Sequence, residues 1–102
     1  MSETDNLLTL SLFEPRLNEE FIVRVEDDEV YPLTLFEASL LPASGYRKVP
    51  REPFQLRFRG PGPRYLLQRI HVLENKTLGK VEIFLVPIGR EGDDFIYQAV
   101  FN

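Results

Sequence analysis

The segment Phe-Gln-Leu-Arg-Phe-Arg at residues 54–59 alternates apolar and polar side chains without interruption. Because successive side chains of a β-strand point to opposite faces, the apolar residues share one face and Gln55, Arg57 and Arg59 share the other. This pattern predicts an antiparallel strand with one face packed on a core and the other turned to solvent.

Outward from this strand, five further runs of the chain have strand character and are rich in Phe, Val, Ile and Tyr. They cover residues 21–25, 30–41, 69–75, 81–88 and 95–101. The first two runs predict a hairpin. The run at 81–88 is apolar apart from Glu82, which predicts a strand covered on both faces. Turns rich in Gly, Pro, Asn and charged residues separate the runs.

A short helix is predicted near the N-terminus. Ser11 and Glu14 have the spacing of a capping box, and Phe13 and Leu17 lie on one helical face. Asn18 tolerates the left-handed conformation that often ends a helix. We therefore expect one or two helical turns, packed on the core by Phe13 and Leu17.

These elements predict an all-β fold, namely a small antiparallel barrel or tight sandwich of about six strands with one short N-terminal helix. The length of 102 residues is close to that of one domain, so we expect residues 1–102 to form a single β domain. The absence of Cys excludes disulfides, thiolate nucleophiles and Cys-based zinc sites. No apolar run reaches the roughly 20 residues of a membrane span and the N-terminus is acidic, which favours a cytoplasmic location.

Charge is distributed unevenly along the chain, although the net charge is only −4. Residues 1–46 hold ten acidic and two basic residues, residues 47–69 hold one acidic and seven basic residues, and residues 70–102 hold five acidic and three basic residues. The basic block is mostly Arg, whose planar guanidinium suits paired hydrogen bonds to carboxylates or phosphates. The candidate residues for binding an anion or a partner are Arg51, Arg57, Arg59 and Arg64.

Two interpretations of the basic block remain open. In one, the arginine face binds nucleic acid or another acidic ligand, because phosphate contacts come from such clusters. In the other, the arginines pair across the sheet with the acidic N-terminal half, as oppositely charged neighbours on adjacent strands do. The negative net charge opposes general affinity for nucleic acid, so we favour internal pairing.

The sequence shows no recognisable catalytic motif. The single histidine, His71, faces the side of its strand opposite to Ile70 and Val72, and no local motif supplies it with a nucleophile or carboxylate. We interpret it as a surface or half-buried strand residue. The acidic run at 26–29 lacks the spacing of a calcium loop. The Gly-Pro segment at 60–63 lacks the N–H donors of a phosphate-binding loop, and we predict a stiff loop there. We expect no enzymatic activity, no catalytic residues, no metal and no cofactor.

The last apolar run, at residues 95–101, has no gatekeeper charge. Such a strand is either paired inside a closed barrel or offered to a partner. We favour closure within the monomer.

Several stretches of the chain are similar to a small bacterial single-domain family of unknown function. They are residues 10–21, residues 51–61 (REPFQLRFRGP), residues 78–90 (LGKVEIFLVPIGR) and residues 97–102 (YQAVFN). Members of that family tend to be encoded near phage-tail-collar-like proteins. Asn18-Glu19-Glu20 stands where the family has a Gly-Glu-Thr-like stretch, and Asn accepts the left-handed conformation almost as Gly does. The resemblance implies a shared fold and a link to tail-like assemblies, and it supplies no functional residues.

We therefore expect a non-enzymatic protein-binding or structural accessory domain tied to phage-tail-like assemblies. The alternative is a domain that binds an acidic ligand or nucleic acid through its arginine-rich strand face. The expected partner is a protein, with tail-collar-like proteins as candidates, and we expect no membrane association. The sequence allows a homo-oligomer without requiring one.

Overall fold

The computed structural model describes residues 8–26, 29–42 and 53–101, and all structural statements concern this part of the chain. It contains one short α-helix, a 3₁₀ turn at Glu14–Arg16 and six strands. The elements are α1 (Leu10–Phe13), β1 (Glu20–Arg24), β2 (Val30–Leu40), β3 (Phe54–Pro61), β4 (Arg69–Asn75), β5 (Gly79–Glu91) and β6 (Asp94–Phe101). In this described part, no helix has the length and apolar character needed to cross a membrane.

The six strands form a closed antiparallel barrel in the order β1-β2-β3-β6-β5-β4, with β4 returning to β1. The predicted all-β fold is thus confirmed, and the barrel is the correct one of the two architectures. β1 and β2 form the predicted hairpin. The final strand β6 pairs with β3 on one side and β5 on the other, which is the closure within the monomer that the sequence favoured.

The interior of the barrel is built from the alternating apolar residues of each strand. Phe54, Leu56 and Phe58 of β3 are fully buried, as their period of two predicts. Helix α1 packs on the end of the barrel where β3 begins and β6 ends, because the Phe13 ring lies 6.1 Å from the rings of both Phe54 and Phe101. The short helix therefore closes one end of the core.

The details of the helix differ from the prediction in two respects. The N-cap is Thr9 in an extended conformation without a side-chain capping bond, and Ser11 lies inside the helix, so the predicted capping box at Ser11 is wrong. Phe13 is fully buried, but Leu17 remains 38% exposed, because the helical turns end at Arg16 and Leu17 no longer continues the helical face of Phe13. Asn18 has a φ angle of 70°, which confirms the left-handed stop.

The prediction that β5 is covered on both faces is wrong. Its inward residues are buried, whereas Phe84 and Ile88 on the outside are 50% and 43% exposed. A closed barrel has a single interior, and among the described elements no second layer covers the outer face of β5. The apolar residues on the outer face of β5 are therefore not explained by burial of both faces of the strand.

Two buried tyrosines hold the segment that follows β3. The Tyr31 hydroxyl lies 2.9 Å from the Pro61 carbonyl, and it lies 3.0 Å from the Tyr97 hydroxyl. Since a carbonyl only accepts, Tyr31 donates to Pro61 and Tyr97 donates to Tyr31. The Tyr97 oxygen in turn accepts a hydrogen bond of 2.9 Å from the backbone N–H of Leu66.

The close approach of the Tyr31 ring explains why position 60 is a glycine. A Cβ atom at residue 60 would lie 2.6 Å from the Tyr31 ring, which is too close for any side chain. The strand also continues through Gly60 and Pro61, which pair with Phe95 and Asp94. The prediction that residues 60–63 form a loop is therefore correct only beyond Pro61.

Candidate functional site

The structure gives an acidic partner to each candidate arginine that it describes. Arg57 Nε lies 3.8 Å from Glu37 Oε1 on the neighbouring strand β2. Arg64 Nη1 lies 2.6 Å from Glu29 Oε1 just before β2. These two contacts join the basic block to the acidic N-terminal half. Arg51, the fourth candidate, lies outside the described residues.

Arg59 finds its partners in a different part of the chain. Its Nη2 atom lies 2.5 Å from Glu91 Oε1 and its Nε atom lies 3.9 Å from Asp94 Oδ2. The guanidinium carbon also sits 4.6 Å from the centre of the Phe36 ring, in a cation–π contact. Carboxylates of the C-terminal hairpin of β5 and β6 therefore balance the positive charge of Arg59. The distribution of charge along the sequence does not indicate this pairing.

A polar network surrounds Arg57 on the outer face of the barrel. Gln98 Nε2 donates to Gln55 Oε1 at 2.7 Å, and Gln55 Nε2 lies 3.3 Å from Ser39 Oγ and 3.4 Å from Glu37 Oε2. The Nε atom of Arg57 is covered but has no hydrogen-bond partner. The side chains beside Arg57 are therefore already engaged with one another, namely those of Glu37, Ser39, Gln55 and Gln98.

His71 is more deeply placed than the sequence indicated. Its side chain points into the barrel and the residue is only 8% exposed, so the expected surface or half-buried position is wrong. The ring Nε2 lies 2.7 Å from the Leu67 carbonyl, which fixes a proton on Nε2 because a carbonyl only accepts. Within the described chain, no hydroxyl or carboxylate is hydrogen-bonded to the ring, and no three His, Asp or Glu side chains are grouped as metal ligands.

The barrel closes weakly between β1 and β4. The two strands pair only at Ile22 with Glu74 and at Val23 with Leu73. β4 nevertheless pairs with β5 along its whole length. Among the described strands, nothing pairs with residues 69–72 of β4 on the side that faces β1, and we call this stretch the free edge of β4.

A groove opens where the two strands separate, and we call it the seam groove. Its larger part has a volume of about 550 Å³, and a smaller part of about 220 Å³ continues towards residues 64–67. The side chains of Val23 and Arg24 on β1 and of residues 69–72 on β4 form its walls, with His71 reaching both parts. Arg24 is held by Glu74 through contacts of 2.9 Å and 3.4 Å.

An exposed apolar patch adjoins the seam groove on the outer face of the barrel. Ile70 on β4 stands opposite Phe84 on β5 in the strand register, and they are 62% and 50% exposed. Val72, two residues along β4, is 43% exposed. We call these three residues the β4–β5 patch. The alternation at 69–75 showed that Ile70 and Val72 share a face, but not that this face is the outer one.

Comparisons with known proteins identify a family but no characterised relative. The family model described as a domain of unknown function (DUF6916) matches residues 8–101, which is nearly the whole chain. No curated protein and no solved structure gives a significant match. Inferences about function therefore rest on the geometry of this chain.

Proposed function

The chain belongs to the DUF6916 family of unknown function, and on this premise we propose that it is a non-enzymatic domain that binds another protein. The β4–β5 patch is the surface that makes the contact. In this role the domain serves as a structural accessory factor, and a tail-collar-like protein of a phage-tail-like assembly is the first partner to test.

The observation that carries this proposal is the exposure of neighbouring apolar side chains on adjacent strands. Single exposed apolar residues are common on protein surfaces, whereas neighbouring ones that together form a patch are characteristic of interaction sites. Ile70 and Phe84 are directly opposed, so their Cβ atoms lie roughly 5 Å apart and one partner surface covers both. Full burial of one such side chain contributes about 1.5–3 kcal/mol. Because Ile70 and Phe84 are about half exposed, a partner that covers them would gain about half of this free energy for each side chain.

The buried histidine supports a non-enzymatic role. A general base must reach the proton that it removes, and His71 lies at the wall of the seam groove with only 8% of its surface exposed and with Nε2 engaged by the Leu67 carbonyl. An activated nucleophile would also need a base in hydrogen-bond contact. The His71 ring has no such neighbour among the described residues.

The alternative function, binding of an acidic ligand or nucleic acid through the arginine face, receives less support. Arg57, Arg59 and Arg64 each have a carboxylate within 4 Å, so an incoming phosphate would compete with an existing partner. These ion pairs are half-exposed, and each contributes only about 0–1 kcal/mol to stability. Their main effect on an incoming phosphate is that nearby carboxylates already neutralise the positive charge of the arginines.

The experiment is affinity capture with matched variants. The test variant is Phe84→Thr, and the control is Leu40→Thr at a residue that is similarly exposed, 53%, on β2, opposite β5 in the barrel order. A co-expressed tail-collar-like protein is the first bait. We expect wild type and Leu40→Thr to retain the partner and Phe84→Thr to lose it.

Two results would contradict the proposal. One is equal retention of the partner by all three proteins, which would place the contact elsewhere. The other is no retention by wild type of the bait or of any protein in quantitative mass spectrometry. Circular dichroism of each variant establishes that the fold is intact, since both substitutions are at exposed strand positions.

A further inference from the structure

We propose that the seam groove accepts an extended acidic segment of the protein partner, which pairs with the free edge of β4 as an added strand. This inference rests on the proposed protein-binding function and specifies its mode. Strand addition is a recurring form of peptide recognition, in which backbone hydrogen bonds supply affinity and side-chain pockets supply specificity. Three features of the seam support it.

The first feature is a stretch of β4 backbone that no described strand pairs on the side facing β1. The free edge covers four residues, a length of about 13 Å at roughly 3.3 Å per residue. The N–H and C=O groups of alternate strand residues point to the same side, so two of these four residues present both groups to the groove. Elsewhere in the described sheet β4 is paired, through β5 along its length and through β1 at Leu73 and Glu74.

The second feature is the shape of the opening. Its walls are the separating ends of two strands, with Val23 and Arg24 on one side and residues 69–72 on the other. A strand added beside β4 would lie about 4.8 Å from it and would continue the sheet on the side where β1 no longer pairs with β4. The cavity of about 550 Å³ is already open for such a segment.

The third feature is the charge of the groove. Four basic residues line its two parts, namely Arg24, Arg64, Arg69 and Lys80. Three carboxylates stand against them, those of Glu26 and Glu74 in the lining and that of Glu29 on Arg64. This surplus of positive charge occurs in a chain whose net charge is −4.

The basic residues of the groove differ in how far they are engaged. Arg24 is paired with Glu74 and Arg64 with Glu29, but Arg69 and Lys80 make no ion pair within the described chain. The groove therefore favours a segment that brings a carboxylate to Arg69.

The β4–β5 patch adds a preference for apolar side chains in the bound segment. The outward side chains of an added strand lie beside Ile70 and Val72, which are exposed and line the groove. Cross-strand apolar pairs of this kind contribute about 0.2–1 kcal/mol each. The occupant is therefore an extended segment with apolar residues at alternate positions and an acidic residue at the end nearest Arg69.

The test uses defined peptides and the whole protein labelled with ¹⁵N. The probe is acetyl-Asp-Val-Thr-Val-Thr-Val-Glu-amide. One control has Lys in place of both acidic residues, and a second is the acidic peptide with alternate backbone nitrogens methylated, which removes the donors of a strand. We expect the acidic probe to shift the amides of residues 69–72 in a saturable way by about 1 mM, and both controls to bind at least about tenfold more weakly.

A charge-reversal variant tests the acidic preference. Arg69→Glu should weaken binding of the acidic probe roughly five- to tenfold. Lys76→Glu, a reversal at another exposed residue that does not line the groove, should leave binding unchanged. Both substitutions are at exposed residues, and amide spectra of the free variants show whether the fold is retained.

Several results would overturn the inference. They are the absence of saturable shifts at residues 69–72, equal binding of the methylated or basic peptide, or a concentration-dependent dimer that uses the same amides, which would make the occupant a second copy. If the peptides do not bind but Phe84→Thr still loses the captured partner, strand addition is overturned and the proposed protein-binding surface is not. Retention of the partner by Phe84→Thr overturns the proposed surface whatever the peptides do.

Discussion

Replacing Tyr97 by Phe removes one hydroxyl from the centre of the network that holds residues 61–66 on the barrel. That oxygen accepts a hydrogen bond of 2.9 Å from the N–H of Leu66, which is 4% exposed, and it donates to Tyr31 at 3.0 Å. The substitution loses the bond to Tyr31, worth about 0.5–1.5 kcal/mol, and leaves the buried Leu66 N–H unsatisfied, which costs about 1–3 kcal/mol. We expect the free energy of unfolding to fall by about 2–4 kcal/mol.

The assay is urea denaturation followed by circular dichroism. An unchanged m-value would show that the effect lies in stability and not in the surface exposed on unfolding. For a domain of this size a loss of this magnitude lowers Tm by roughly 10 °C or more. The control is Tyr65→Phe, because Tyr65 is 53% exposed, and we expect a change within about 0.5 kcal/mol.

A double-mutant cycle with Tyr31→Phe then measures the interaction free energy between the two tyrosine hydroxyls. The two hydroxyls are in contact, so the losses should couple by about 0.5–3 kcal/mol instead of adding. A loss below about 0.5 kcal/mol for Tyr97→Phe, or strict additivity of the two variants, would refute the conclusion that the tyrosines act as one hydrogen-bonded unit.

Three further predictions follow from named contacts. Phe13→Ala should cost about 3–5 kcal/mol in urea denaturation because the fully buried ring closes the core, whereas the half-exposed Leu17→Ala should cost less than about 1 kcal/mol. The double variant Arg57→Ala/Arg59→Ala should destabilise by less than about 2 kcal/mol and leave DNA mobility at low salt unchanged, and a salt-sensitive shift in wild type that the variant loses would restore the nucleic-acid alternative. Burial raises the pKa of Tyr31 above its ordinary value near 10, so stability should hold below pH 10 and decline as pH rises further. Phenolate absorption at Tyr31 that precedes unfolding would contradict this order.

The strands were predictable because their signal is local. Each residue of an alternating run contributes its own hydrophobicity, and a period of two assigns faces without knowledge of the neighbours. This was enough for β3, whose Phe54 and Phe58 are buried as expected. The same logic failed on β5, since an apolar outer residue such as Phe84 raises the hydrophobicity of a strand whether or not anything covers it.

The candidate site was only partly accessible from the sequence. The acidic partners of Arg57 and Arg64 were expected in the N-terminal half and lie there, at Glu37 and Glu29. The seam groove was not foreseen, because it depends on where two strands distant in sequence stop pairing. No local pattern records that β1 leaves β4 after Val23.

The sequence by itself determined the number of strands, the residues of β3 that face the core and the position of the terminal helix. These properties follow from side-chain periodicity and from turn residues, which act over a few neighbours. Only the tertiary structure decided the strand order, the partners of Arg59, the burial of His71 and the opening beside β4. Closing a sheet into a barrel sets how far each pair of strands runs together, and that geometry belongs to the whole ring of strands and not to any one of them.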